Sequence, residues 1–308
     1  MKHQPQVETA SGATTAMSMA ARPDLSVVLG SLNRRRLLAA TIRSIRENGF
    51  SGKMEIIVVD GGSTDGTCEW LARQVDILTI IQPNYKVRSP NGGLRRAHTW
   101  GEFMNLGFRR AIAPWILMVS DDLLLCPGCI QAGLDQIQTA SVSGRMLGGG
   151  AMFYRDYPRN SSYHVKLLPG GVVHINHGFY SKAALESVGY ADESRFEFYG
   201  ADGELTMRLN REGFRTVALE GSFAEHLAHT PRLLRWLSKS RDPNVEADMR
   251  MFESLFGSQQ AGQEIMTQRN HADPNGTARQ FWLRCPTQAS VAFAASIIER
   301  LVGALAHR

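Results

Sequence analysis

Residues 56–67 read IIVVDGGSTDGT, which joins four apolar residues to an aspartate and then to a loop of small polar residues. The apolar run predicts a buried strand that ends at Asp60. In open α/β sheets, ligands bind beyond the carboxyl ends of the strands. Turns favour the same residue types, and Thr64 or Asp65 could simply cap the next helix. This loop alone therefore leaves two interpretations open, a plain turn and a ligand-binding loop.

The sequence around this loop alternates between strand and helix patterns. Strands are predicted over 25–33, 54–60, 76–82 and 115–122, and helices over 34–48, 67–75 and 100–113. Such an alternation predicts an α/β fold with a mostly parallel, Rossmann-like sheet flanked by helices. The strands are continuous apolar runs, as expected where both faces of a sheet are covered. Two of them end in aspartate, so carboxylates should collect at one edge of the sheet.

Further acidic residues and one histidine follow the later predicted elements. Helices are predicted near 181–188 and over 201–214, and a strand over 216–226. The candidate cluster consists of Asp60, Asp121, Asp122, Asp202, Glu204 and His226. Two adjacent carboxylates at a strand end predict a divalent cation, Mg²⁺ or Mn²⁺, which in turn would hold a diphosphate. A solvated turn at 120–122 and a helix N-terminus at 201–204 are the alternative interpretations.

Composition excludes few classes of protein. The chain has 308 residues, of which 43% are hydrophobic and 20% charged, and a formal net charge of +5. The basic residues are scattered without interleaved aromatics, so we expect no nucleic-acid partner. Cys126 and Cys129 form a C-x-x-C, but no second pair exists to complete a zinc site, and we interpret the segment as a Pro-Gly turn. So few cysteines predict a reducing, cytoplasmic location.

Three segments are predicted: a disordered tail over 1–22, one large domain over 23–230 and a helical C-terminal extension over 231–308. The tail has no apolar core typical of a leader, and no run of 18 apolar residues predicts a membrane-spanning helix. Apolar residues at helical spacing over 290–308 predict an amphipathic helix. It would pack on the domain or on a second copy of the chain, and the alternative is peripheral contact with a membrane surface.

The chain resembles the family 2 glycosyltransferases, which have a GT-A fold, from about Leu25 to His226. EIIVVDGGSTDGT is the most specific match, because it resembles the family's VVDDGSTDGT segment closely. WILMVSDDLLLCPGCI resembles the strand that carries the Asp-x-Asp motif. The segment from SKAALESVGY to GSFAEH resembles the acceptor region, with its acidic pair and trailing histidine.

The resemblance implies a role for each matched residue. It implies Asp202 as general base, Ser31, Asn33, Asp60, Ser63 and Asp121 as nucleotide-sugar contacts, and Asp122 and His226 as ligands of Mn²⁺ or Mg²⁺. Arg95 or Arg96, in the loop before the helix predicted at 100, is expected to add a phosphate contact. The base would take the proton of an attacking acceptor hydroxyl in one inverting displacement. The metal would stabilise the departing nucleoside diphosphate.

This sequence departs from the family pattern at two site positions. Ser120 stands where the first Asp of Asp-x-Asp is usual, and Ala201 stands where the acidic pair usually has Glu. The segment over 84–102 is also longer than usual, which predicts a lid or an oligomer contact. A nucleotidyltransferase is disfavoured, because the predicted first strand is followed by NRRRLL rather than a glycine-rich phosphate loop.

The expected function is therefore sugar transfer from a nucleotide sugar, with UDP- or dTDP-sugars favoured, to a polysaccharide or a lipid-linked glycan. The alternative is a non-catalytic nucleotide-sugar-binding or scaffold protein with a degenerate site.

Overall fold

A computed structural model describes residues 22–88, 94–141, 146–157, 162–227, 243–257 and 264–267. Most of the predicted tail over 1–22 and the predicted amphipathic helix over 290–308 lie outside these ranges. Within the described residues, none of the helices combines the length and the apolar character needed to cross a membrane.

The described chain alternates strands and helices. The strands are β1 (Leu25–Ser31), β2 (Met54–Asp60), β3 (Ile77–Ile81), β4 (Lys86–Arg88), β5 (Leu94–Arg96), β6 (Trp115–Met118), β7 (Leu123–Leu125), β8 (Leu147–Tyr157), β9 (Tyr163–Leu168), β10 (Val172–Val173), β11 (Gly178–Ser181), β12 (Arg215–Leu227) and β13 (Glu264–Thr267). The helices are α1 (Arg35–Arg46), α2 (Thr67–Leu71), α3 (Trp100–Arg110), α4 (Cys129–Ser141), α5 (Lys182–Ser187), α6 (Ala201–Arg211) and α7 (Pro243–Phe256).

Eleven of the described strands form one sheet, whose main path runs β10-β9-β8-β11-β6-β1-β2-β3. The neighbours β6, β1, β2 and β3 are all parallel, and the register sets Ser31 beside Asp60. The far half is mixed, because β11 runs antiparallel to β6 and β8 while β12 runs parallel to β8. The carboxyl ends of β1, β2 and β6 therefore meet at one edge, and the predicted α/β fold is confirmed.

The helices cover both faces of the sheet. Along β1, Leu25, Val27 and Leu29 pack into the same core cluster as residues of α1 and α4. Val28 points to the other cluster, together with residues of α3, α5 and α6. Successive side chains of a strand point to opposite faces, so each face of β1 needs apolar residues. This explains why the strand is an unbroken apolar run in the sequence.

Several predicted boundaries are wrong, and one of them matters for the site. The strand predicted over 115–122 ends at Met118, and Asp121 and Asp122 occupy a turn before β7. The chain turns there because β7 pairs antiparallel with β12, setting Leu123 opposite His226. The two carboxylates thus lie between two strands rather than at the end of one.

Several helices are shorter than predicted, and one strand lies at the edge of the sheet. Helix α2 ends at Leu71 rather than 75, and α3 ends at Arg110 rather than 113. Pro114 accounts for the second difference, because a proline disfavours helical geometry in the residue before it. Among the described strands, β3 pairs with β2 alone. Leu78 and Ile81 are exposed, so the prediction that this strand is covered on both faces is wrong.

Two segments outside the regular α/β pattern extend the fold. The long segment over 84–102 contains the β4–β5 hairpin and leads into α3, whose N-terminus has a Thr99–Glu102 capping box. Within the predicted helical extension, the structure describes α7 and the strand β13, which pairs with β9. Residues 264–267 are therefore part of the main sheet.

Helix α7 is fastened to the loop before α6 by one buried carboxylate. Asp248 accepts hydrogen bonds from the backbone N–H groups of Glu197, Phe198 and Tyr199, at 2.8 to 2.9 Å. Phe252, one turn further along, packs against Phe196 and Leu168. The two contacts together hold the 196–199 segment in place.

We expect Asp248→Ala to lower the free energy of unfolding by about 1–3 kcal/mol, because three backbone N–H groups lose a charged acceptor that is itself buried. Urea denaturation measures the loss, and hydrogen exchange should become faster at the amides of residues 197–199. The matched control is Glu246→Ala on the same helix, where an exposed ion pair with Arg250 is worth less than about 1 kcal/mol. Equal effects of the two substitutions would contradict this role of Asp248.

Candidate functional site

The loops after β1 and β2 are bound to each other by Asn33 and Ser63. The backbone N–H of Asn33 donates to Ser63 Oγ at 2.7 Å, and Asn33 Oδ1 accepts from the backbone N–H of Thr64 at 2.7 Å. Asn33 has a φ of 54°, in the left-handed region that asparagine tolerates better than most residues. These contacts build one continuous rim at the carboxyl edge of the sheet, as the sequence predicted.

Asp60 lies within this rim and is fully buried. Its Oδ1 accepts from the backbone N–H groups of Gly62 and Ser63 at 2.9 and 2.7 Å, and its Oδ2 accepts from Ser63 Oγ at 2.7 Å. Asp60 therefore shapes the glycine-rich loop. The predicted contact of its carboxylate with a nucleotide base stays a prediction, because both oxygens already serve the loop.

The acidic turn, Asp121 and Asp122, is bridged by an arginine. Arg34 Nη1 lies 3.0 Å from Asp121 Oδ1 and 3.0 Å from Asp122 Oδ2. Ser31 Oγ donates to Asp121 Oδ2 at 2.8 Å, and Ser120 Oγ donates to Asp122 Oδ1. The two carboxylates are only 4% and 3% exposed, whereas 38% of the Arg34 side chain is exposed. Ser120 thus supports Asp122 by donating a hydrogen bond to its carboxylate.

His226 continues the cluster on β12. Its Nε2 lies 3.5 Å from Asp122 Oδ1, and its Nδ1 lies 2.7 Å from Asp156 Oδ1. The sheet brings these residues together, because β12 sets His226 beside Asp156 of β8 and opposite Leu123 of β7. Burial opposes the charge of this imidazole, but its hydrogen bonds to both carboxylates outweigh burial and raise the pKa of His226 to about 9. The ring must therefore release a proton before its Nε2 can ligate a metal ion.

For Asp121, in contrast to His226, burial outweighs the effect of the neighbouring charges on the pKa. Burial penalises its charge and, despite the attraction of Arg34, raises the pKa of Asp121 to about 6, with Asp122 contributing repulsion. A carboxylate in this position depends on nearby positive charge to remain ionised.

Asp202 stands in the first turn of α6, on the far side of this cluster. Asn176 Nδ2 donates to Asp202 Oδ2 at 2.6 Å, and the backbone N–H of Gly203 donates to Oδ1 at 2.9 Å. His174 Nε2 lies 3.3 Å from Oδ2, a close ion-pair distance without good hydrogen-bond geometry. Burial raises the pKa of Asp202, but these neighbours outweigh it and hold the pKa well below its usual range. With 17% of its side chain exposed, Asp202 is an ionised carboxylate in contact with solvent.

Consecutive residues connect Asp202 to the acidic turn. Asn176 contacts Asp202, and the ring of the next residue, His177, lies 5.4 Å from that of His226. Burial and the charge of His226 lower the pKa of His177 to about 3, so this ring is neutral. Tyr154 packs edge-on against both imidazoles. The ionised Asp202 and the acidic turn therefore belong to one site.

Two other candidates lie apart from this arrangement. Arg95 stands on the β4–β5 hairpin, where its Nη1 donates to the carbonyl of Arg96. No contact that the structure describes joins Arg95 to the acidic turn, so its phosphate-binding role stays a prediction. Glu204 is buried and ion-paired with Arg208 at 2.8 Å, which makes it a structural residue.

Five residues of the site were not predicted from the sequence, namely Arg34, Asp156, His174, Asn176 and His177. The motif HINHG over 174–178, with two histidines and an asparagine in five residues, was a signal that could have been used. Asp156 carried no such signal, because only its pairing with β12 reveals it.

The predicted metal ligands fit a cation by their chemistry. Two carboxylates and an imidazole suit Mn²⁺ or Mg²⁺. Among the described residues, no three side chains of the His, Cys, Asp and Glu types are grouped closely enough to form a ready metal centre. Instead, the guanidinium of Arg34 stands between the two carboxylates as the resident cation.

Comparisons with known proteins concern the family and the fold of the chain. Residues 26–184 match the model of Glycosyl transferase family 2. No curated protein matches the chain. A similar solved structure is the mannosyltransferase PcManGT from Pyrobaculum calidifontis in complex with GDP-Man and Mn²⁺, at 15% identity and a TM-score of 0.50, covering 92% of this chain and 88% of that one. Another is S. aureus TarS 1-349 in complex with UDP-GlcNAc, at 16% identity and a TM-score of 0.49, covering 89% and 80%.

Proposed function

The chain belongs to glycosyl transferase family 2 and is a glycosyltransferase, and we propose that it transfers a sugar from a nucleotide-sugar donor to an acceptor hydroxyl with inversion at the anomeric carbon. The observation that carries this proposal is the ionised Asp202 beside the acidic turn, joined to it through Asn176 and His177. Asp202 suits an attacking hydroxyl, and the acidic turn suits a departing diphosphate.

The donor end of the site is the rim built by the β1 and β2 loops. Ser31, Asn33 and Ser63 present polar groups there, and the loop glycines allow a nucleoside to approach the backbone closely. A divalent cation held by Asp122 and His226, with Asp121 beside them, would stabilise the negative charge that collects on the leaving diphosphate.

The acceptor end is Asp202. The acceptor oxygen attacks the anomeric carbon, the bond from that carbon to the diphosphate oxygen breaks, and the hydroxyl proton passes to Asp202. Hydrogen bonds from Asn176 and Gly203 orient the carboxylate, and its low pKa keeps it ionised. The acceptor oxygen, assisted by one base, attacks on the face opposite the leaving group. This direct displacement inverts the configuration at the anomeric carbon.

The acceptor that we propose is a hydroxyl of a polysaccharide or of a lipid-linked glycan. A lipid-linked acceptor would bring the protein to a membrane surface. UDP- and dTDP-sugars are the donors that we favour, and GDP-sugars are tested beside them because the rim contacts described above do not select one base.

We expect one of UDP, dTDP and GDP to bind in isothermal titration with Mn²⁺ present. Asp122→Asn should weaken this binding by about tenfold or more, because a negative metal ligand is lost. Asp135→Asn, an exposed aspartate on α4, is the control and should bind like the unchanged protein. If no nucleotide binds with or without Mn²⁺, the transferase proposal fails.

A non-catalytic nucleotide-sugar-binding role is the second candidate, favoured by Ser120 and Ala201 at positions that usually carry acids. The two functions differ in turnover. A protein that binds the nucleotide but neither transfers nor slowly hydrolyses the matching nucleotide sugar would support the second candidate.

A further inference from the structure

Arg34 contacts both carboxylates of the acidic turn, where we propose that a divalent cation binds. We propose that Arg34 is an internal counter-cation that competes with a divalent cation for Asp121 and Asp122, so that metal and donor bind more tightly together than either does alone. This inference rests on the proposed function, because it concerns the same donor site.

The buried carboxylates need a cation at all times. Asp121 and Asp122 are adjacent and almost fully buried, so both would lose hydration without compensation. Ser31 and Ser120 supply hydrogen bonds but no charge. Arg34 supplies the charge, since a single nitrogen contacts both carboxylates at 3.0 Å.

The carboxylates are fixed, whereas the arginine is placed to move. Thr41 Oγ1 donates to the backbone carbonyl of Asp121 at 3.0 Å, and the backbone N–H of Leu227 donates to the carbonyl of Asp122 at 2.9 Å. The long side chain of Arg34 reaches in from the rim and is 38% exposed. An exchange of cations at this turn therefore requires a change in the arginine and not in the backbone.

The contacts at this turn disfavour binding of a diphosphate by itself. Arg34 contacts both Asp121 and Asp122, so these three groups leave no positive charge in excess. A nucleoside diphosphate would bring further negative charge to the same place, and a divalent cation on the carboxylates would offset it.

The displaced guanidinium then has a new partner. Its planar N–H groups match phosphate oxygens, which are strong acceptors for arginine. Arg34 thus exchanges the carboxylates for the diphosphate when both ligands arrive. Because coupling of this kind is reciprocal, nucleotide should raise Mn²⁺ affinity by the same factor by which Mn²⁺ raises nucleotide affinity.

The test is titration of Mn²⁺ into the full-length protein, first without nucleotide. We expect Arg34→Met to bind Mn²⁺ about tenfold more tightly than the unchanged protein, because a positive charge close to the metal position is removed. Arg35→Met is the matched control, since Arg35 is the next residue, is exposed and is oriented toward Gly66. It should leave Mn²⁺ affinity unchanged.

Nucleotide should raise the Mn²⁺ affinity of the unchanged protein more than that of Arg34→Met. With saturating UDP, dTDP or GDP, whichever binds, the unchanged protein should gain Mn²⁺ affinity, and Arg34→Met should gain less because it has no guanidinium to pair with the phosphates. The rise in melting temperature on adding Mn²⁺ is a second readout that does not depend on the heat of binding. If Arg34→Met does not fold, Arg34→Gln keeps an N–H donor without the charge and should show the same tightening.

Two results would overturn the inference while leaving the proposed function intact. One is equal or weaker Mn²⁺ binding by a folded Arg34→Met or Arg34→Gln protein. The other is nucleotide binding by the unchanged protein that is as tight in EDTA as in Mn²⁺, with sugar transfer still observed. Failure of the proposed function is a different outcome, because then no nucleotide binds and no sugar is transferred under any condition.

Discussion

Replacing Asp202 with asparagine is expected to lower the rate of sugar transfer by about 10²–10⁴-fold, the range typical of a lost general base. Asparagine keeps the size of the side chain and accepts the hydrogen bond of Asn176 through its oxygen, but it cannot take up the acceptor proton. The measurement is kcat for transferred sugar with saturating donor and acceptor. Nucleotide binding, measured by calorimetry, should change little because the acidic turn is untouched.

Glu204 provides the contrast for this experiment. It lies two residues further along the same helix, but its carboxylate is buried and paired with Arg208. Glu204→Gln should lower the melting temperature while the folded enzyme keeps its kcat. Equal losses of kcat in the two variants would contradict the assignment of Asp202 as the base.

The pH dependence gives a further check on Asp202. Its pKa is held well below the ordinary value, so it is already ionised throughout pH 5–8. Deprotonation of this group therefore cannot produce a rise in rate across that window. A rise that disappears in Asp202→Asn, with the residual rate now independent of pH, would mean that this carboxylate titrates near neutrality and that the geometry has been misassigned.

Replacing Glu225 with alanine is expected to lower the free energy of unfolding by about 3–5 kcal/mol, the cost of breaking a buried ion pair from one side. Glu225 is 0% exposed and holds Arg155 through two hydrogen bonds, Nε to Oε2 at 2.7 Å and Nη2 to Oε1 at 2.8 Å. Tyr163 also donates its hydroxyl to Glu225 Oε1 at 2.6 Å. Urea denaturation followed by circular dichroism measures the loss.

The position of this ion pair explains its importance for the site. Glu225 and Arg155 are register partners on β12 and β8, and the next pair along the same strands is His226 and Asp156. Glu220→Ala, an exposed glutamate on the same strand, is the control and should change stability by no more than about 0.5 kcal/mol. A similarly small effect of Glu225→Ala would show that the neighbouring strands hold the register without this pair.

Local patterns in the sequence were sufficient for the fold class and for part of the site. The apolar runs of β1 and β2 are unbroken because helices cover both faces of the sheet. The burial of these strands can therefore be predicted from the order of their residues. The same patterns placed Asp60, Asn33 and Ser63 at the carboxyl edge, where the structure brings them together. The role of Asp202 as general base was predicted through its resemblance to the acidic pair of the family, and it stays a prediction.

Charge partners were decided only by the tertiary structure. Three consecutive arginines follow Asn33, and nothing local distinguishes Arg34, which precedes α1 and turns toward the acidic turn, from Arg35 and Arg36, which are exposed. Asp156 meets His226 only because β8 and β12 pair over 70 residues of sequence separation. Periodicity reports which face of an element is buried, because burial acts on each element separately. It carries no information on which elements become neighbours, and the partners of buried charges depend on that alone.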